Sequence, residues 1–199
     1  MADQPAHPTP KPSFAIHTIG YGGRTMDEFL AVLQQYAVDY LIDVRTSPYS
    51  RYKPEFSRAV LEKALASHKI RYVYMGDLLG GMPADPDCFT DGKVDYAKIR
   101  QTTPYLNGIE RLRHAHDQCL HVVLMCSEGK PEQCHRSKLI GESLTQKDIP
   151  VLHIDEEGRL CSHAEIIFRL TDGQLSLFGQ TTFTSRKRYG PVEGDDDGM

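Results

Sequence analysis

The stretch that most restricts the fold is the apolar run Leu120, Val122, Val123, Leu124, Met125, which is short, partly β-branched and nearly free of polar residues. With no alternating polar face, it suits a strand buried on both sides in a parallel sheet, and such a sheet needs helices over both faces. The run stops at Cys126-Ser127-Glu128-Gly129-Lys130-Pro131, where Gly and Pro end the extended backbone. Helical spacing resumes at Cys134-His135-Arg136, with Leu139, Ile140 and Leu144 on one side. A strand end that presents Cys and Glu, opposite a helix start that presents Cys, His and Arg, has the layout that open α/β sheets use for ligands.

The same unit recurs along the chain. Residues 14–19 read as a first strand that runs into the turn Gly20-Tyr21-Gly22-Gly23. Thr25 with Glu28 three residues on is a capping box, and Phe29, Leu30, Leu33 and Val38 share the face of the helix that follows. Tyr40-Leu41-Ile42 forms a second strand, ending at Asp43-Val44-Arg45, and a loop containing Ser50-Arg51 comes next. A helix over residues 57–68, with Val60, Leu61, Ala64 and Leu65 facing inward, precedes a strand over 71–75. Residues 82–94 carry the Pro, Asp and Gly density of a long loop, and residues 96–116 form a helix interrupted near Pro104. A fifth strand, Val151 to Ile154, and a short helix around 164–170 complete the pattern.

Alternation of this kind predicts a three-layer, Rossmann-like α/β fold with a mostly parallel sheet and helices on both faces. One domain over residues 13–172 follows, with a proline-rich disordered leader at 1–12 and a C-terminal tail at 173–199. No apolar run approaches the roughly 18 to 20 residues that span a bilayer, so the expectation is a cytoplasmic protein without a membrane partner. Five cysteines without a regular framework read as free thiols. A net charge of -4 gives no general basic footprint for nucleic acid, although local patches can still bind it.

In a parallel sheet the carboxyl ends of the strands share one edge, so Gly20-Tyr21, Asp43 to Arg45, Gly76-Asp77 and Cys126 to Glu128 converge on one cleft. Cys126 is a nucleophile there if His135 or a helix start lowers its pKa, and a small buried hydrophobe otherwise. Position 132 is Glu, so the phosphatase pattern of Cys followed six positions later by Arg is absent. Cys126, Cys134 and His135 hold potential ligand atoms, but seven residues separate the cysteines, far from structural zinc spacing, so no metal is expected. No motif names a cofactor. Asp43 and Glu128 are the candidates for general acid-base work, unless they pair with neighbouring arginines. Arg45, Arg51 and Arg136 suit a phosphate or nucleotide, because guanidinium forks hold phosphate through two bonds. Gly20 lets backbone approach a guest, and Tyr21 either stacks on a base or packs in the core.

Taken in order, TIGYGG at 18–23, DVRTSPYSR at 43–51, LGG at 79–81 and MCSEGKPEQCHR at 125–136 resemble the bacterial family filed as domain of unknown function 488. The resemblance covers roughly residues 14–155, with Gly22 standing where the family often has a small hydroxyl residue. It implies the fold and the place of the site, but no reaction. Separately, Gln174, Leu175, Ser176, Leu177 and Phe178 resemble the pentapeptide by which bacterial polymerases and repair proteins dock on the DNA sliding clamp. Leu and Phe filling an apolar pocket, after ordering costs, give about -8 kcal/mol, or about micromolar affinity. Packing of the same residues on the domain is the alternative. Together these features favour an enzyme acting on nucleic acid or nucleotides in DNA repair or replication. A non-catalytic nucleic-acid or anion-binding module, or a small-molecule thiol enzyme, are the competing expectations.

Overall fold

The computed structural model describes residues 14–173 and 183–189. The leader at 1–12 and the pentapeptide at 174–178 lie outside the described residues. Strand β1 (Ile16–Gly20) leads into helix α1 (Met26–Gln35), whose start is fixed by the expected capping box. There the Glu28 amide donates to Thr25 Oγ1, and the Thr25 amide donates to the Glu28 carboxylate at 2.8 Å. Strand β2 (Tyr40–Asp43), helix α2 (Arg58–Ser67) and strand β3 (Arg71–Tyr74) follow.

Next come the short helix α3 (Gly76–Leu79) and a hairpin of β4 (Phe89–Thr90) and β5 (Lys93–Val94). The break near Pro104 separates α4 (Tyr96–Ile99) from α5 (Thr103–Asp117), because proline fits the first turn of a helix, where no donor is needed. After β6 (Val122–Cys126), the expected helix from Cys134 begins as a π-helical segment, Arg136–Gly141, and only then becomes α6 (Glu142–Thr145). Strands β7 (Val151–Ile154) and β8 (Leu160–Ser162) and helix α7 (His163–Leu170) finish the domain.

The sheet runs β3-β2-β6-β1-β7-β8, with the first five strands parallel and β8 antiparallel at the edge. Strand β6 is therefore central, as its lack of a polar face requires. Val122, Leu124 and Cys126 point to one face, with Ile42, Val44, Tyr105 and Leu139, while Val123 and Met125 point to the other, with Phe29, Leu33 and Leu61. Helices α1 and α2 thus cover one face, and α3 to α6 cover the opposite one. Each fully buried Leu, Val or Phe contributes roughly 1.5 to 3 kcal/mol, so two complete cores stabilise the sheet from both sides. This is the Rossmann-like three-layer fold that the sequence predicts.

Three local expectations are corrected. Val60 is half exposed, because Leu61 and Leu65 supply the inward face of α2. The edge strand β8 and the β4–β5 hairpin are too short for their periodicity to register in the sequence. Residues 183–189, expected as tail with little to bury, lie against the domain: Phe183 and Ser185 are buried, and the Ser185 amide donates to the Val94 carbonyl at 3.0 Å. No helix among the described residues is long and apolar enough to cross a membrane.

Candidate functional site

Gly20 pairs with Cys126 and Asp43 with Met125 in the sheet register, so β1, β6 and β2 end together. Above these ends opens a cleft of about 310 Å³. The end of β6 and its loop supply Cys126 and Glu128, and the turn after the loop supplies Cys134 and His135. The end of β2 supplies Arg45, and the far side of the cleft is formed by Arg186, Lys187 and Tyr189.

Cys126, Cys134 and His135 meet at the base of this cleft, all three buried, with their sulfur and nitrogen atoms within 4.8 Å of one another. His135 Nδ1 lies 3.8 Å from Cys126 Sγ and 3.7 Å from Cys134 Sγ. Its other ring nitrogen, Nε2, lies 3.1 Å from the Val44 carbonyl oxygen, which can only accept, so Nε2 carries the proton and Nδ1 faces the thiols with a lone pair. The neighbouring Cys134 draws the Cys126 thiol well below its ordinary pKa against the effect of burial, and the charge on Arg136 adds to the shift. Burial, and then the adjoining Cys126, hold Cys134 well above its own. Of the two, Cys126 is thus the more acidic thiol. The backbone keeps the imidazole in place: a Cβ on Gly81 would come within 2.7 Å of the His135 ring, which explains a glycine there.

The carboxylates and arginines divide differently from the sequence expectation. Asp43 has no exposed surface and accepts four hydrogen bonds, from the Arg45 amide, Arg45 Nε, Arg45 Nη2 and the Tyr72 hydroxyl, at 2.6 to 3.1 Å. That fills the acceptor capacity of a carboxylate, leaving Asp43 no lone pair for acid-base work. The pairing alternative therefore describes Asp43 and Arg45. Glu128 is partly exposed at the rim, 3.5 Å from Arg186, and keeps free acceptor capacity.

Arg45, Arg51 and Arg136 do not form a common anion site. Arg136 is fully buried, and its two terminal nitrogens donate to the Glu128 and Gly129 carbonyls, tying down the loop after β6. Gly20 serves that same loop, since a Cβ would stand 1.7 Å from the Glu128 carbonyl oxygen. Arg51 is exposed and does not line the cleft. Tyr21 packs: its ring stacks on Phe56 with centroids 4.3 Å apart, and its hydroxyl accepts from Arg45 Nη1 at 3.3 Å.

The cations that do face the cleft without a buried partner are Arg186 and Lys187, both exposed. Sequence reasoning passed over them, although the basic run at 186–188 was the visible signal. Aromatic walls come from Tyr49, 69% exposed, and from Tyr96 and Tyr189. The arrangement can thus polarise or attack with sulfur at its base while holding an anion at its rim.

The family described as Domain of unknown function DUF488 matches residues 25–142, more than half of the chain. No curated protein and no solved structure matches it.

Proposed function

The chain belongs to the family described as Domain of unknown function DUF488, and from that premise we propose an enzyme acting on a nucleotide or a nucleic-acid end, with Cys126, Cys134 and His135 as its reactive centre. The observation that carries this reading is that the thiol and imidazole cluster shares one cleft with Arg186, Lys187 and the rings of Tyr49, Tyr96 and Tyr189. Two exposed cations suit a phosphate, and Tyr49 offers an open ring face on which a base can stack. A volume of about 310 Å³ is at the small end of ligand sites, which favours one nucleotide unit over a duplex. Glu128, at the rim with capacity to spare, is the group placed to move a proton.

Delivery to DNA belongs to the same proposal. Its support is the sequence Gln174, Leu175, Ser176, Leu177, Phe178, which follows the last helix and precedes the segment that borders the cleft. Docking of these residues on a bacterial sliding clamp would bring the cleft to DNA.

The test is binding and turnover by the full chain. A labelled nucleoside monophosphate and a short single-stranded oligonucleotide are titrated, and products are followed over a panel of modified bases and strand ends. Arg186→Ala is expected to weaken binding by about tenfold, the loss of roughly one charge-assisted hydrogen bond. Cys126→Ala is expected to keep binding and lose turnover. Binding that is indifferent to Arg186→Ala and Lys187→Ala overturns the substrate class, and binding without turnover of any substrate leaves an anion-binding module. Clamp pull-down that survives Leu177→Ala with Phe178→Ala removes the recruitment half.

A further inference from the structure

We propose that Cys126, Cys134 and His135 bind one divalent metal ion of the zinc type, with its fourth coordination position open to the cleft. The proposal deepens the reactive-centre reading above and rests on it for the meaning of the site, but its geometry stands by itself.

Tetrahedral zinc bonds of about 2.3 Å to sulfur and about 2.0 to 2.1 Å to nitrogen set sulfur-to-nitrogen edges of about 3.5 to 3.6 Å. Both sulfurs lie 3.7 to 3.8 Å from His135 Nδ1, so these two edges are within a few tenths of an ångström of what an ion needs, and the three donor atoms lie within 4.8 Å of one another, against about 3.8 Å for a tetrahedral sulfur-to-sulfur edge. The nitrogen that faces the sulfurs is the unprotonated one, the form a metal needs. Its partner nitrogen donates to the Val44 carbonyl, the kind of outer contact that fixes a ligating imidazole. Two thiolates with a divalent ion leave no net charge, which removes most of the electrostatic penalty of a buried site. Soft sulfur with imidazole selects zinc over magnesium or calcium.

The long sequence spacing does not oppose this. Short spacings describe ligands held on one turn, whereas here one sulfur ends β6 and the other ligands sit on the turn entering the π-helical segment, so the fold closes the gap. Single π-turns inside helices concentrate at functional sites, because the widened turn re-aims neighbouring side chains. All three residues also line the cleft, so the remaining tetrahedral position faces it. Three protein ligands with one open position is the pattern of catalytic zinc, whereas structural zinc takes four.

The experiment uses the full chain, stripped with chelator and titrated separately with Zn²⁺ and with Co²⁺ as a spectroscopic probe. Expected are one ion per chain in native mass spectrometry, and for Co²⁺ the intense visible bands of tetrahedral geometry with thiolate charge transfer. Cys134→Ser and His135→Ala are each expected to weaken binding by more than about 100-fold, beyond the loss seen for outer-contact mutations. Azide is expected to shift the visible bands by entering the open position. Absence of uptake, weak octahedral bands, or affinity unchanged by Cys134→Ser overturns the proposal, and bands that azide leaves unmoved overturn the open position. The wild-type spectra decide the matter even if a variant fails to fold. Metal uptake with nucleotide binding that ignores Arg186→Ala would overturn the substrate reading alone. Nucleotide binding and turnover without metal uptake would overturn the metal alone.

Discussion

Two buried polar clusters stand at the carboxyl edge of the same sheet, and they differ in whether their bonding capacity is spent. Around Asp43, every acceptor site is filled, and Arg45 is locked between that carboxylate and the Tyr21 hydroxyl. Around His135, the hydrogen-bonding contacts to Nδ1 among the described residues are two sulfurs at 3.7 and 3.8 Å, which are weak partners for a nitrogen lone pair. Position on the sheet is therefore a poor guide to role. A saturated cluster holds the fold, while an unsaturated one beside a cleft keeps bonding capacity for a guest.

The sharpest way to break this comparison is Asp43→Ala, which strands Arg45 as an unpaired buried charge. It is expected to lose about 3 to 5 kcal/mol in a denaturant unfolding curve. A loss below about 1 kcal/mol would show that the pair is not structural. Next in size is the pH response of a second saturated chain, in which His153 lies 2.7 Å from Thr18 Oγ1 and 2.9 Å from His163 Nδ1. Burial, and then His163 and Arg136, hold the His153 pKa well below its ordinary 6.5. The unfolded chain therefore takes up a proton that the folded chain refuses. Stability is full above pH 6.5 and declines as pH falls below it, by up to about 1.4 kcal/mol per pH unit. Melting curves of His153→Gln should lose that part of the slope.

Cys134→Ala is expected to be milder, about 1 kcal/mol in the unfolding curve of the metal-free chain, because only a small apolar volume and weak hydrogen bonds disappear. A loss as large as that of Asp43→Ala would place the sulfur cluster among the structural elements. The smallest stability effect belongs to Arg186→Ala, within about 0.5 kcal/mol, since its ion pair with Glu128 is long and solvated. The same variant should still show weaker nucleoside monophosphate binding by equilibrium titration, and this separation of stability from binding is what the comparison requires.

Much of the fold was legible because local chemistry encodes it. The unbroken apolar run before Cys126 demanded a central strand, Thr25 with Glu28 fixed a helix start, and Pro104 fixed a break. The location of the cleft was legible for the same reason, since parallel strands must end on one edge. Assignments failed where a role depends on partners distant in sequence. Local sequence makes Arg136 a candidate anion ligand, but its guanidinium is consumed by two loop carbonyls, and Arg51 does not line the cleft. Arg186 was overlooked because nothing local shows that residues 183–189 lie back on the domain.

The sequence by itself therefore determined the layered sheet, the order of strand and helix, and the edge at which the cleft opens, because periodicity and turn residues act over a few neighbours. Only the tertiary structure decided which polar groups are spent and which remain free. That question is settled by geometry across the sheet, where Cys126 from a strand end and Cys134 with His135 from the turn beyond its loop come within bonding reach of one another.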